Sequence, residues 1–394
     1  MISSKIKDNL SKASFIRAMF EEGERLRGQY SADKVFDFSI GNPDIEPPFI
    51  VKEALKKAVM DDRPKIHGYM SNAGYQNVRA SIARRLAKDT EALVSPENIV
   101  MTCGAGGALN VVLKTLLNPG DEVIVLSPYF VEYLFYIDNH GGKSVIVPTD
   151  PATFQPDPEK IYGAVTEKTK AIIINSPHNP TGVIYSRAVL EKMAEKLAAR
   201  EREFGTSICV ISDEPYGKIV YDNAEVPAVF TVFKNSILVD SFSKSLSLPG
   251  ERIGYIAANP AIDNVQLLMD GLIFCNRTLG YVNAPALFQR ILPESLNAVV
   301  EVEEYKKRRD MLYDGLIQCG YECIKPAGAF YLFPKSLIPD DVEFCKRAMK
   351  YNLVIVPGKG FGCPGHFRIA YCVDSNIIKN SLPAFEALAK EFKR

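Results

Sequence analysis

Residues 171–217 read AIIINSPHNPTGVIYSRAVLEKMAEKLAAREREFGTSICVISDEPYG. The segment opens on a continuous apolar run rich in isoleucine, as a strand covered on both faces requires. A turn punctuated by Pro and Gly follows, and then SRAVLEKMAEKLAAREREF repeats its apolar residues at helical spacing. A second short run, ICVISD, ends like the first on polar residues. Strand, helix and strand in that order predict a right-handed β-α-β unit with its two strands parallel in one sheet.

The same texture extends outward. ENIVMT, DEVIVLS and SVIVP precede the segment, and SILVDS and RIGYIAA follow it; each reads as a buried strand, and GALNVVLKTLLN is one of the helical stretches between them. The expectation is an α/β fold with a mostly parallel seven-stranded sheet between helices. Ligands of such sheets collect at the carboxyl ends of the strands, so the polar residues that close each run are the ones to read for chemistry. After about residue 285 the pattern changes. SLNAVVEVEEYKKRRDMLYDGLIQCG is a charged helical stretch, followed by AFYLFP, VIVPGKGFG, FRIAYC and a closing amphipathic helix. A smaller α+β domain is expected there, joined by the N-terminal segment: residues 45–285 form the large domain, and 1–44 with 286–394 the small one.

Composition narrows the function classes. Lys+Arg and Asp+Glu stand at 47 each in 394 residues, so the net charge gives no sign of a nucleic-acid or membrane partner. The eight cysteines form no C-x-x-C pair and the four histidines no H-E-x-x-H motif; no metal is expected, and the thiols are read as free in a reduced, cytoplasmic protein. The N-terminal MISSKIKDNLSKASFIRAMFEEG is too charged for a signal peptide, and Asp8, Glu21 and Glu22 argue against a transit peptide.

Four stretches carry chemistry. In SFSKSLSLPGERIGY, residues 241–255, Lys244 stands just past a buried strand, where a desolvated amine of lowered pKa is a good nucleophile; a solvated loop lysine fits the same letters. In SDEPYG, residues 212–217, a carboxylate at a strand end suits a metal, a ribose hydroxyl, a pyridinium nitrogen or a helix cap. NSPHNPTG, residues 175–182, is a turn signal placed after a strand. TCGAGGALN, residues 102–110, leads from strand into helix and offers free N–H groups to an anion. It is not the dinucleotide fingerprint, because Leu109 stands where a third Gly is required, and it lacks the Lys and Ser/Thr of a P-loop.

Taken together in order, IGNPDIEPP, HGYMSNAG, TCGAGGAL, SPYF, NSPHNPTG, SDEPYG, SFSKSLSLPGERIGY, PAGAFYLF and FRIAY make the chain resemble the class I/II (fold type I) aminotransferases over nearly its full length. The resemblance implies pyridoxal 5′-phosphate as cofactor, with Lys244 as the Schiff-base lysine and proton shuttle. It implies Asp213 at the pyridine nitrogen, and Tyr216 and Asn179 as donors to the 3′ oxygen. The phosphate would rest on the amides of Gly104, Ala105 and Gly106, with Ser241, Ser243 and Arg252, and with Tyr69 reaching over from a neighbouring subunit of a homodimer. Arg368 would fork the substrate α-carboxylate, assisted by the backbone at Gly41. Phe130 stands where the family often stacks a tryptophan on the cofactor ring; the chain has no Trp.

Amino acids and 2-oxo acids are the implied substrates, exchanged by a ping-pong mechanism through pyridoxamine phosphate. An aspartate-type donor needs a further cation, for which Arg277 and Arg17 are the candidates. Phe15, Phe20, Phe130 and Tyr281 would instead suit an alanine-type, aromatic or broad specificity. A same-fold C–S lyase or decarboxylase shares the cofactor motifs and stays open. A DNA-binding PLP sensor lacks room for its extra domain ahead of residue 40, and a nicotinamide dehydrogenase lacks its glycine spacing.

Overall fold

The computed structural model describes residues 1–12, 23–25, 28, 34–90 and 92–392. Its centre is a seven-stranded sheet of β1 (Ile99–Thr102), β2 (Glu122–Ser127), β3 (Lys143–Pro148), β4 (Thr169–Asn175), β5 (Cys209–Asp213), β6 (Ser236–Ser241) and β7 (Gly254–Ala258). All seven expected strands form. They lie in the order β1-β7-β6-β5-β4-β2-β3, and only β7 runs against the others.

The continuous apolar runs reflect burial of both faces. Along β4, Ile172 and Ile174 join one cluster while Ala171 and Ile173 join another across the sheet; along β5, Val210 and Ile211 divide in the same way. The helix Arg187–Phe204 between these two strands is capped at its start by Ser186, whose hydroxyl accepts from the Val189 amide, and stops at Gly205 in the left-handed region. Ile211 lies fully buried in a central strand. Its truncation to alanine is expected to cost about 2–5 kcal/mol, measured as a lower denaturant midpoint at unchanged slope.

Six parallel strands put their carboxyl ends on one edge. Asn175, Asp213 and Ser241 close β4, β5 and β6 there. The helices Gly104–Leu116, Glu132–Asn139 and Phe242–Ser245 start from the same edge, after β1, β2 and β6.

A second core gathers Phe38, Tyr305, Leu312, Phe330, Phe344, Phe367 and Phe385. Phe36–Asp37 pairs in parallel with Leu353–Val354, and Val356–Pro357, Phe367–Ala370 and Tyr331–Leu332 form a small antiparallel sheet. The helix Ala286–Ser295, which the sequence reading groups with this smaller unit, buries Ile291 and Leu292 in the core against the large sheet. Tyr216 and Ile219, just beyond β5, belong to the second core, so the two cores meet at the strand ends.

Candidate active site

A cavity of about 340 Å³ opens at that edge, lined among others by Gly41, Ala105, Gly106, Phe130, Asn179, Asp213, Tyr216, Ser241, Ser243, Lys244, Arg252 and Arg368. Stretches some 330 residues apart in sequence thus share one wall. Lys244 sits on the short helix that follows β6. Its Nζ donates to the Gly41 carbonyl at 2.7 Å and lies 5.4 Å from the centre of the Phe330 ring. Burial pulls the ammonium down to about 8, helped by the Arg368 and Arg252 charges. The lysine is therefore no solvated loop residue.

Asp213 ends β5, 5% exposed. One carboxylate oxygen, Oδ2, accepts from the Tyr133 hydroxyl at 2.6 Å, while Oδ1 is buried with no hydrogen-bond partner. Burial pushes this carboxyl up to about 7, and the Tyr133 bond opposes the shift. Asn175 fixes the backbone beneath: its Nδ2 donates to the Asp213 carbonyl, and its Oδ1 accepts from the Asn179 amide, each at 2.7 Å.

The helix Gly104–Leu116 offers its first-turn amides without intrahelical partners. Gly104 has φ +70°, and a Cβ there would stand 2.8 Å from Arg252 Nη2, so a side chain would fill the space between turn and guanidinium. Ser241, Ser243 and Arg252 face the same cavity. The result is a concave site for an anion.

Arg368, 5% exposed on Phe367–Ala370, donates through Nη1 to Asn179 Oδ1 at 3.2 Å and through Nη2 to the Ser39 carbonyl at 2.6 Å. Its guanidinium packs over Tyr331 and Phe361, with Nε unpartnered. The Tyr331 and Tyr216 hydroxyls hydrogen-bond at 2.7 Å. Gly41 passes so close to Tyr331 that a Cβ would clash with its hydroxyl at 2.0 Å.

Two expected residues stand apart. Tyr69 is 95% exposed, and Arg277 points outward over Phe274; neither lines the cavity of its own chain. Arg17, Phe15 and Phe20 lie outside the described residues, and Tyr281 packs beside Gly107. The sequence reading passed over Asn175, Tyr133, Tyr136, Tyr331 and Glu132, which all belong to the cavity wall or hold it. Phe130, Tyr133 and Tyr136, three apart, were the available signal for one helical face turned inward.

The orphaned Asp213 oxygen calls for a cationic ring nitrogen, and the cradle at Gly104 and Arg252 calls for a phosphate-sized anion. A pyridoxal-phosphate enzyme is the class that this fold and donor set define, since that cofactor carries both groups and an aldehyde for a neutral lysine. Comparison with known proteins leads to the same class. The signature of the family "Aminotransferase class I and II" matches residues 33–384. A probable aspartate/prephenate aminotransferase of Thermus aquaticus is 34% identical over 88% of this chain and 89% of its own. A probable aspartate aminotransferase of Methanocaldococcus jannaschii is 34% identical over 97% and 98%. Among solved structures, an amino transferase from Eubacterium rectale superposes with a TM-score of 0.96 at 39% identity, covering 100% of both chains. An aspartate aminotransferase from Thermus thermophilus with maleate gives 0.86 at 28% identity, over 98% and 99%. The chain belongs to the class I and II aminotransferases. It is a pyridoxal-phosphate-dependent aminotransferase, and its substrates are amino acids and 2-oxo acids.

Proposed function

We propose that the chain transfers the amino group of an L-amino acid to a 2-oxo acid by a ping-pong mechanism, both substrates using the one cavity in turn. The observation that carries this reading is the convergence of Lys244, Asp213 and Arg368 on that cavity. When bound, pyridoxal phosphate supplies the electron sink that makes a Cα–H bond acidic. Asp213 Oδ1 would face the pyridine nitrogen and keep it protonated. Tyr216 and Asn179 would donate to the 3′ oxygen, and Phe130 would stack on the ring. The amides of Gly104, Ala105 and Gly106, with Ser241, Ser243 and Arg252, would hold the phosphate. Arg368 would fork the α-carboxylate beside Gly41, which fixes Cα within reach of Lys244 Nζ. Lys244 Nζ would then take the proton from Cα and hold it for return on the cofactor side of the amino nitrogen.

This reading divides the chain into a cofactor-binding unit, residues 45–285, and a unit of 1–44 with 286–394 that brings Arg368, with the helix Ala286–Ser295 packed on the first. It also includes a homodimer in which Tyr69 reaches the neighbour's phosphate. The nearly full exposure of Tyr69, at 95%, leaves its side chain free to make that reach. A cytoplasmic location fits a chain in which no described helix is long and apolar enough to cross a membrane.

For the donor side chain, the cavity's cations among the described residues are Lys244, Arg252 and Arg368, all engaged above. The geometry therefore favours a donor without a distal carboxylate. The names of the relatives favour a second reading, an aspartate donor, with the missing charge supplied by Arg277 from outside the single-chain cavity or by Arg17, which is not among the described residues.

Arg368→Lys tests the first half of the mechanism. Loss of the bidentate fork is expected to lower kcat/KM by roughly 10²–10³-fold for every donor, whatever its side chain, by analogy with truncated buried charge pairs worth about 2–5 kcal/mol. An effect confined to one donor would mean that Arg368 reads a side chain instead. Release of ammonia in place of amino-group transfer would turn the assignment toward a lyase.

A further inference from the structure

Among the described residues five charged side chains line the cavity, and of these Glu132 alone has no part in the reading above. It begins the helix Glu132–Asn139, whose Tyr133 and Tyr136 share the wall. Its carboxylate makes no hydrogen bond or ion pair with the described residues, and burial is the one influence on it, pushing the carboxyl up. Glu132 in turn helps hold the neighbouring Tyr136 hydroxyl protonated, pushed up to about 12 chiefly by burial. A half-buried carboxylate without a partner costs free energy that a ligand can return by supplying the missing donor. The same charge repels a distal carboxylate, and a repulsive group is half of most specificity devices.

We propose that Glu132 reads the donor's side chain: it selects substrates that end in an ammonium or another N–H donor and turns away those that end in a carboxylate. The inference rests on the reading of this cavity as the transamination site, with Arg368 on the α-carboxylate. The two ends of the substrate then meet opposite charges, a cation at one wall and an anion at the other. A basic amino acid satisfies both, and a dicarboxylic one only the first.

The test uses the holoenzyme and three ligands that lack an α-amino group, 5-aminopentanoate, pentanoate and glutarate, with an unchanged cofactor absorption band showing that the far amine has not condensed with the aldehyde. Each carries a carboxylate for Arg368 and differs at its far end. Calorimetry is expected to give 5-aminopentanoate roughly tenfold tighter binding than pentanoate, as one charge-assisted hydrogen bond would supply, and glutarate the weakest. In Glu132→Gln the advantage of the ammonium disappears and glutarate gains. The wild-type order stands by itself if the variant fails to fold. Glutarate binding tightest to wild type overturns the proposal, as does an order that Glu132→Gln leaves unchanged. A parallel trial separates the two readings: the cofactor's absorption is followed on adding lysine, alanine and aspartate. If none changes the band while the ligand order holds, the transamination reading fails and the role of Glu132 survives.

Discussion

Replacing Lys244 by alanine is expected to lower transamination by about four orders of magnitude or more, with the fold retained. The size follows from the proposed role: proton transfer by a positioned base is worth about 10²–10⁴-fold, and the same side chain would be the covalent anchor for the cofactor. Lys244→Arg separates proton transfer from charge. Arginine keeps the cation in the cavity and does not deprotonate in the accessible pH range, so it should be as inactive as alanine. A substantial residual rate in the arginine variant would mean that Lys244 acts through its charge alone. The free chain adds a pH signature. With Nζ drawn down to about 8 by burial, the share of neutral amine rises with pH up to that value and then levels. The rate of cofactor uptake, followed by absorption, should do the same, whereas an ordinary lysine would keep gaining up to its usual value near 10.5.

Asp213→Asn should move activity and stability in opposite directions. Without the carboxylate the pyridine nitrogen loses its counter-charge, and transamination is expected to fall roughly 10³-fold, the scale of losing one preorganised electrostatic partner. In the cofactor-free protein the same change should stabilise. The Asp213 carboxyl titrates near 7 when folded against an ordinary 3.8, chiefly because it is buried. Between those values the folded chain holds a proton that the unfolded chain has released, so stability falls as pH rises across the interval and is flat above it. Asparagine carries no such penalty. At pH 8 the cofactor-free variant should therefore exceed wild type by a few kcal/mol at most, and the gap should close near pH 4. A variant less stable than wild type at pH 8 would show that the carboxylate is satisfied in the cofactor-free protein.

The sheet was legible because burial on two faces leaves an unmistakable trace. A run such as AIIIN has no polar alternation, since Ile172 and Ile173 each meet a core on opposite sides. The direction of β7 left no comparable trace: RIGYIAA reads like its parallel neighbours, because burial is blind to strand polarity. In the cavity, residues announced by turn chemistry at strand ends, Lys244, Asp213 and Asn179 among them, could be read in advance. Tyr133 and Asn175 could not, because their contribution lies in what they hold, the Asp213 side chain and backbone. The guanidinium of Arg277 packs over Phe274, outside the cavity of its own chain; sequence position conveyed neither that direction nor whether the cavity of a second subunit lies beyond it.

The two hydrogen bonds from Lys244 to the Gly41 carbonyl and from Arg368 to the Ser39 carbonyl amount to an internal decoy. Three residues of main chain present neutral oxygens to both side chains, and an incoming carboxylate would compete with the Ser39 carbonyl for the Arg368 guanidinium. A carboxylate wins that exchange because a full negative charge replaces a dipole. The ester or amide of the same amino acid would trade one neutral carbonyl for another and gain almost nothing. With Arg368 on the α-carboxylate as proposed, the fold would hold a threshold that favours free amino acids and 2-oxo acids over their esters and amides, before any part of the donor's side chain is read.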